Sequence, residues 1–284
     1  MTECSSQWKE LWAGNHAILA NEQVGADTWK IALDAPELAE RAKPGQFLML
    51  RLPECADPLL GRPFGIFNAD VATGRVEAVY AVVGKGTRRL AALKPGDRLE
   101  LWGPLGNGWN AALRAESTAP KRLALVAGGV GCVPFYLLMK ELASGARYAG
   151  TKATFVYGAR NAERLCCVDE FRALGLDAAL VTEDGSVGKR GFVTAALPEI
   201  LPKETAPEDV QILACGPTPM LRAVANWSAG RGYECWTSLE SPMACGMGLC
   251  FSCVVDWRAD DGTWDYKRAC VDGPVFDAAR LKWD

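Results

Sequence analysis

The sequence predicts a multidomain protein of the β plus α/β class: an N-terminal antiparallel β-barrel, a doubly wound parallel sheet, and a small cysteine-bearing unit at the C-terminal end. Three observations predict it. Short strands separated by turn residues fill the first third of the chain. Strands and helices alternate through the middle third. Four spaced cysteines, Cys245, Cys250, Cys253 and Cys270, gather towards the end. The expected boundaries are residues 12–112, 113–232 and 233–284.

The bulk properties narrow the function. The chain of 284 residues has room for two or three domains. Its net charge of −3 provides no basic surface for nucleic acid or an anionic membrane. No apolar run is long enough for a transmembrane helix, and residues 1–12 are too polar for a secretion signal. Eleven cysteines without such a signal point to the reducing cytoplasm and to metal ligation. Cys4, Cys55, Cys132, Cys166, Cys167, Cys215 and Cys235 show no ligand spacing and read as buried thiols. The single histidine, His16, falls in the expected first strand, which argues against histidine acid–base chemistry. An enzyme built from this chain should move electrons or hydride.

In the first third, residues 16–23, 28–33, 46–51, 65–69, 76–83 and 98–102 are β-branched or alternating and bounded by Gly, Pro and Asp. Pro44-Gly45 and Pro95-Gly96-Asp97 mark turns. Six strands at this spacing predict a closed antiparallel barrel. Two segments stand out. In Arg62-Pro63-Phe64-Gly65, a guanidinium and an aromatic ring could hold a flat anionic ligand; a surface turn is the competing reading. In the second, a strand with Val79, Tyr80 and Ala81 runs into Gly84-Lys85-Gly86-Thr87 and a short helix. Free N–H groups at such a helix start bind phosphate, and Thr87 can add a hydroxyl donor; a capped helix without ligand is the alternative. Gly103-Pro104-Leu105-Gly106-Asn107-Gly108 closes the region as a rigid loop.

In the middle third, strands are predicted at residues 122–127, 152–157, 178–182 and 210–214, with helices at 135–143, 162–174, 192–197 and 221–228. Repeated β-α units predict a parallel sheet with its ligand at the C-terminal strand ends. Gly128-Gly129-Val130-Gly131 follows the first strand and opens a helix, as a pyrophosphate-binding turn requires. Cys215-Gly216-Pro217 lies at another strand end facing the same crevice. No acidic residue for a ribose follows the second strand, where Arg160 stands instead, so NAD and NADP both remain open.

The last unit carries the most specific signal. Cys245-Gly246-Met247-Gly248-Leu249-Cys250-Phe251-Ser252-Cys253, with Cys270 further on, has the plant-type [2Fe–2S] ligand spacing. Gly246 and Gly248 let the backbone fold around a cluster and turn amide groups towards sulfur. A hairpin, residues 254–257 and 263–268 about a turn at 259–262, returns the fourth cysteine. Structural zinc and a pair of disulfides are the competing readings of four cysteines.

Taken in order, Arg62-Pro63-Phe64, Gly84-Lys85-Gly86-Thr87, Gly128-Gly129-Val130-Gly131 and Cys215-Gly216-Pro217 resemble the ferredoxin–NADP reductase superfamily. With the C-terminal cysteine motif, Glu183-Asp184-Gly185-Ser186, Gly191-Phe192-Val193-Thr194 and Ser238-Leu239-Glu240, the chain from about residue 15 resembles the electron transfer subunits of NAD-dependent (class 1B) dihydroorotate dehydrogenases. The resemblance implies FAD on Arg62–Gly65, Val79–Ala81 and Gly86–Thr87, and a cluster on Cys245, Cys250, Cys253 and Cys270. It implies NAD(H) in the second unit and an FMN-containing catalytic partner that oxidises dihydroorotate in pyrimidine biosynthesis, in a cytoplasmic heterotetramer of two of each subunit. Electrons would pass from FMN through the cluster to FAD and on to NAD⁺. That family usually has Ser at the position of Gly65 and Arg at that of Ala81. A flavo-iron-sulfur subunit of another complex, of the sulfide dehydrogenase or NADPH–ferredoxin oxidoreductase type, is the alternative, and a zinc-bound scaffold is the alternative from a different class.

Overall fold

The computed structural model describes residues 12–53 and 57–283. Cys4, Cys55 and residues 1–11 lie outside the described residues. Strands β1 (Trp12–Gly25), β2 (Thr28–Asp34), β3 (Phe47–Arg51), β4 (Arg62–Asp70), β5 (Arg75–Ala81) and β6 (Arg98–Leu105) close a barrel in the order β1-β2-β5-β4-β3-β6. Every neighbouring pair is antiparallel. The alternation seen in the sequence explains the closure. Ile31 and Leu33, Leu48 and Leu50, Val76 and Ala78, and Leu99 and Leu101 sit two apart on their strands and share one barrel core. His16 lies in β1, buried, with Nδ1 2.5 Å from the Asp34 carbonyl oxygen. It is not among the residues lining the clefts described below.

The second sheet contains β7 (Arg122–Gly128), β8 (Lys152–Ala159), β9 (Asp177–Thr182), β10 (Lys189–Arg190), β11 (Val210–Cys215) and β12 (Glu234–Ser238). Its order is β10-β9-β8-β7-β11-β12, all parallel. Alternate residues of β7 enter opposite cores. Leu123, Leu125 and Ala127 pack with Leu138 and Phe171 on one face. Ala124 and Val126 pack with Ile212, Leu221 and Val224 on the other. Burial on both faces is why these strands read as unbroken apolar runs.

Past β12, a hairpin of β13 (Val254–Arg258) and β14 (Trp264–Arg268) forms where the sequence placed it. The chain then returns as β15 (Val275–Asp277), which pairs antiparallel with β12. The parallel sheet thus continues past residue 232, where the sequence placed a boundary, and its last edge comes from the cysteine-bearing unit.

Four local differences from the sequence reading have clear causes. The helix expected over residues 162–174 splits into a 3-10 turn at Ala162–Arg164 and a helix at Val168–Ala173. Between them the Cys166 N–H donates to the Tyr157 hydroxyl at 3.0 Å, and Cys167 takes the left-handed conformation with φ 54°. The helix expected at 192–197 becomes a 3-10 turn at Val193–Ala195 and a helix at Leu197–Ile200, with Pro198 in its first turn. The glycine-rich loop continues as a 3-10 stretch through Phe135, and the α-helix starts at Tyr136. A short helix at Pro36–Arg41, not foreseen, plugs one end of the barrel with buried Leu38.

Candidate functional site

The two glycine loops of the second unit meet backbone to backbone. A Cβ on Gly131 would lie 2.3 Å from the Cys215 carbonyl oxygen and 2.7 Å from the Gly216 Cα. A Cβ on Gly128 would lie 2.5 Å from Met220 Sδ. Gly129 has open space beside it but a φ of +56°, so its requirement is conformational. Together these residues bring the ends of β7 and β11 into one crevice, as the strand-end rule anticipates.

That crevice is a cleft of about 640 Å³ between the sheet and the barrel. Gly128, Gly129 and Pro217 line it from the sheet, and Asp27, Thr28 and Ala81 from the barrel. Arg160, Glu183 and Phe192 line one end, and Glu240 enters from just past β12. Such a volume accommodates a dinucleotide. Gly131 and Cys215 support the cleft from behind: both are buried, and burial pushes the Cys215 thiol up, so it stays neutral. Burial likewise raises the Glu240 carboxyl.

The barrel residues divide into two groups. Arg62, Phe64 and Gly86 share a hollow with Leu50, Leu52 and Leu90. A Cβ on Gly86 would lie 2.5 Å from Arg62 Nε, so glycine is what lets the guanidinium lie over the start of the helix Lys85–Ala91. An anionic group of a flavin dinucleotide fits this cradle of guanidinium and helix-start N–H groups. The Thr87 hydroxyl is engaged within the loop: it accepts from Val83 N at 3.0 Å and Gly84 N at 3.1 Å. Val79 and Tyr80 are buried. The Tyr80 ring packs edge-on against Phe64 at 5.5 Å, and its hydroxyl donates to Asn21 Oδ1 at 3.0 Å. These two positions therefore reach a ligand only through their backbone. Gly65 touches the other domain: a Cβ there would lie 3.1 Å from Val133 Cγ1. Val133 thus crowds the space that a serine side chain would need.

The cysteine loop is packed onto the barrel. Cys253 and Cys270 share a core with Phe47, Met49, Leu105 and Phe276. Trp102 Nε1 donates to the Cys245 carbonyl at 3.0 Å, and a Cβ on Gly246 would lie 2.7 Å from Met49 Cγ. Asn107, in the loop that the sequence marked as rigid, donates to the carbonyls of Asp272 and Val275, both at 3.0 Å. Backbone N–H groups point at sulfur, from Met247 to Cys245 at 3.3 Å and from Gly248 to Cys270 at 3.1 Å. Cys250 interacts with the Cys245 side chain, and Cys270 with those of Cys253 and Cys245. Among the described residues, no three ligand-type side chains converge on one point as a single ion requires. Interacting thiols with N–H groups aimed at sulfur fit a two-iron cluster. The Ser252 side chain and N–H hold the exposed Cys250 thiol down to about 6, while burial pushes Cys270 up to about 12. Trp102 and Arg268, which donates to the Gly248 carbonyl at 3.1 Å, carried no signal in the sequence, and Asn107 only that of a rigid loop. Their partners are remote in the chain.

Comparison with known proteins accounts for all three units. Residues 16–109 match the oxidoreductase FAD-binding domain, residues 125–226 the oxidoreductase NAD-binding domain, and residues 240–282 the iron-sulfur cluster binding domain of dihydroorotate dehydrogenase B. The chain is 34% identical to the dihydroorotate dehydrogenase B (NAD(+)) electron transfer subunit of Desulforamulus reducens, over 94% of this chain and 97% of that one. It is 36% identical to that of Fusobacterium nucleatum, over 92% and 95%. The chain belongs to this family. Gly65 and Ala81, where the resemblance implies Ser and Arg, lie at the barrel–sheet contact and in the cleft wall respectively. A solved structure of an NADH-dependent reduced ferredoxin-NADP oxidoreductase, described for flavin-based electron bifurcation, aligns with a TM-score of 0.79 at 30% identity. It covers 95% of this chain and 90% of that one. Among the described residues, no helix is long and apolar enough to cross a membrane.

Proposed function

We propose that this chain is the electron transfer subunit of an NAD-linked dihydroorotate dehydrogenase, carrying electrons from an FMN-containing catalytic subunit to NAD⁺ in cytoplasmic pyrimidine biosynthesis, as a heterotetramer of two of each subunit. The observation that carries it is the exposed end of the cysteine loop. Cys250 reaches the surface, flanked by Leu249 at 64% and Phe251 at 61% exposure. The other three cysteines are half-buried or buried against the barrel. One ligand position thus opens outward beside two exposed apolar side chains, a surface suited to a catalytic partner. Met243 and Met247 are half-buried, and Met243 packs inward onto the cysteine-loop core.

The three units would be the FAD-binding barrel, the dinucleotide sheet extended by β12, and the cluster-binding C-terminal unit. When bound, the cluster supplies one-electron transfer and the flavin converts between one- and two-electron chemistry. The chain's own residues position these groups. Arg62, Gly84 and Gly86 would hold the flavin's diphosphate and Pro63 and Phe64 its flat part. Gly128, Gly129, Gly131 and Cys215-Gly216-Pro217 would shape the nicotinamide dinucleotide site, and Cys245, Cys250, Cys253 and Cys270 would ligate iron. The packed Met49, Leu105 and Phe276 exclude water between cysteine loop and barrel.

The test is Cys250→Ser, purified with its co-expressed partner. Iron should fall from about two per chain, bound FAD should stay, and dihydroorotate-linked NADH formation should be lost. Full NADH formation in that variant would overturn the conduit. The second reading, a subunit of a ferredoxin-linked NAD(P) oxidoreductase complex, draws on the structural likeness at 30% identity. Co-purification of a ferredoxin-oxidising partner, with no response to dihydroorotate, would favour it.

A further inference from the structure

The barrel and the parallel sheet meet along a seam with two kinds of contact. One kind is apolar. Phe67 of β4 stacks on Tyr136 at 4.3 Å, and Gly65 faces Val133. Such contacts are non-directional and leave the two bodies free to slide. The other kind is polar and joins the turn between β1 and β2 to the segment that follows β8. Ala26 N donates to the Glu163 carbonyl at 2.9 Å. Arg164 pairs with Asp27 at 3.1 Å, and Lys30 with Glu170 at 2.9 Å. The two ion pairs differ in shielding. The Arg164 side chain is 45% exposed and that of Lys30 only 14%. Solvent screens the first pair, which leaves it weak. The second is largely withdrawn from water and is screened much less.

Lys30 stands where the two proposed cofactor sites come together. It lies opposite Val79 in the pairing of β2 with β5, and Thr28 lies opposite Ala81. Asp27, Thr28 and Ala81 line the dinucleotide cleft from the barrel side, and Arg164 lines it from the sheet side. Neither Lys30 nor Glu170 lines the cleft. Their pair instead joins, from behind, the strand beside the expected flavin contacts to the helix Val168–Ala173 of the other unit. A second carboxylate, Glu22, reaches the same ammonium group at 3.4 Å, but it belongs to β1 and so to the barrel. Glu170 carries the contact across the seam.

We propose that Lys30 and Glu170 are positioning residues: their ion pair fixes the width of the cleft, and with it the distance between a flavin held on the barrel and a nicotinamide dinucleotide held on the sheet. This rests on the two sites proposed above. In the direction easiest to observe, a hydride leaves NADH and joins oxidised flavin, giving NAD⁺ and the reduced flavin anion. No bond to the protein forms or breaks, so the contribution of the chain is alignment. A misplacement of about 1 Å can cost about a hundredfold in rate. A loosened seam would still bind each ligand on its own unit but would hold the two further apart.

The test separates alignment from stability. Hydrogen exchange with mass spectrometry, on the flavin-loaded protein without nucleotide, reads the seam through the Ala26 amide. Lys30→Met keeps the apolar stem and removes the charge, and Ala26 should then exchange about tenfold faster. Stopped-flow reduction of the flavin by NADH should be about tenfold slower, with FAD content unchanged and NADH affinity within about twofold. Glu170→Gln should reproduce both changes, and the double variant should add little to either. Lys30→Arg, which keeps the charge, should retain wild-type values. A lower melting temperature with unchanged Ala26 exchange and unchanged flavin reduction would make the pair structural alone and overturn the inference. Slower reduction accounted for entirely by weaker NADH binding would overturn it as well. A wild-type protein whose flavin NADH does not reduce would overturn the reading of the two sites, and the inference with it.

Discussion

Replacing Gly131 with alanine probes the feature on which the dinucleotide site most depends, the backbone contact between its two glycine loops. The added Cβ would lie 2.3 Å from the Cys215 carbonyl oxygen and 2.5 Å from its carbonyl carbon. Real Cβ contacts do not fall below 3.0 Å, so the loops must separate by at least 3.0 − 2.3 = 0.7 Å. The obstacle is main chain, which has no rotamer to change, and Gly131 is fully surrounded. Overpacking of this kind costs about 1–3 kcal/mol, roughly 2–12 °C in melting temperature for a chain of this size. Two controls separate steric from conformational cost. Gly129→Ala meets no atom but must hold φ +56°, at a cost of about 1–2 kcal/mol. Gly230→Ala meets only ordinary contacts, at 3.5 Å and beyond, and has φ −63°, so it should melt with the wild type. The assay is thermal unfolding by circular dichroism together with NAD⁺ titration. Gly131→Ala should lower both stability and NAD⁺ affinity. A Gly131→Ala protein that melts with the wild type and binds NAD⁺ equally well would refute the argument that loop contact shapes the site.

Three further outcomes are expected. Arg62→Ala removes the guanidinium over Gly86, a charge-assisted contact of about 1.5–3 kcal/mol; flavin fluorescence on dilution should show about ten- to a hundredfold easier FAD release. Gly246→Ala forces a left-handed alanine, with φ +71°, against Met49 Cγ at 2.7 Å; iron retained against a chelator should fall while FAD content holds. Glu240→Gln bears on pH dependence. Burial raises the folded carboxyl above its ordinary 4.5, so the folded state binds the proton more tightly and the wild type loses stability as pH rises from 4.5 through the folded value. The variant should match the wild type below that window and melt higher above it; a constant difference across pH would contradict the assignment.

Much of this protein was legible in its sequence because much of its structure is locally specified. In β3, β5 and β6 every second residue enters the barrel core, a spacing that the side chains of the sequence record directly. The glycine loop announces itself because Gly129 needs a positive φ. The cysteine loop does so because three ligands must come from nine consecutive residues with glycines at φ +71° and +78°. What only tertiary structure decided has no local imprint. Trp102 meets Cys245 across 143 residues, and Asn107 meets Val275 across 168. The strands β12 and β15, five and three residues long, are too short for a periodic pattern, and they show themselves only by pairing. The helix expected at 162–174 breaks because Tyr157, on a neighbouring strand, captures the Cys166 N–H that a continuous helix would use. The dinucleotide cleft depends on the same long-range logic. Ala81, Pro217 and Glu240 come from three distant stretches, and only the packing of barrel against sheet places them around one ligand-sized space.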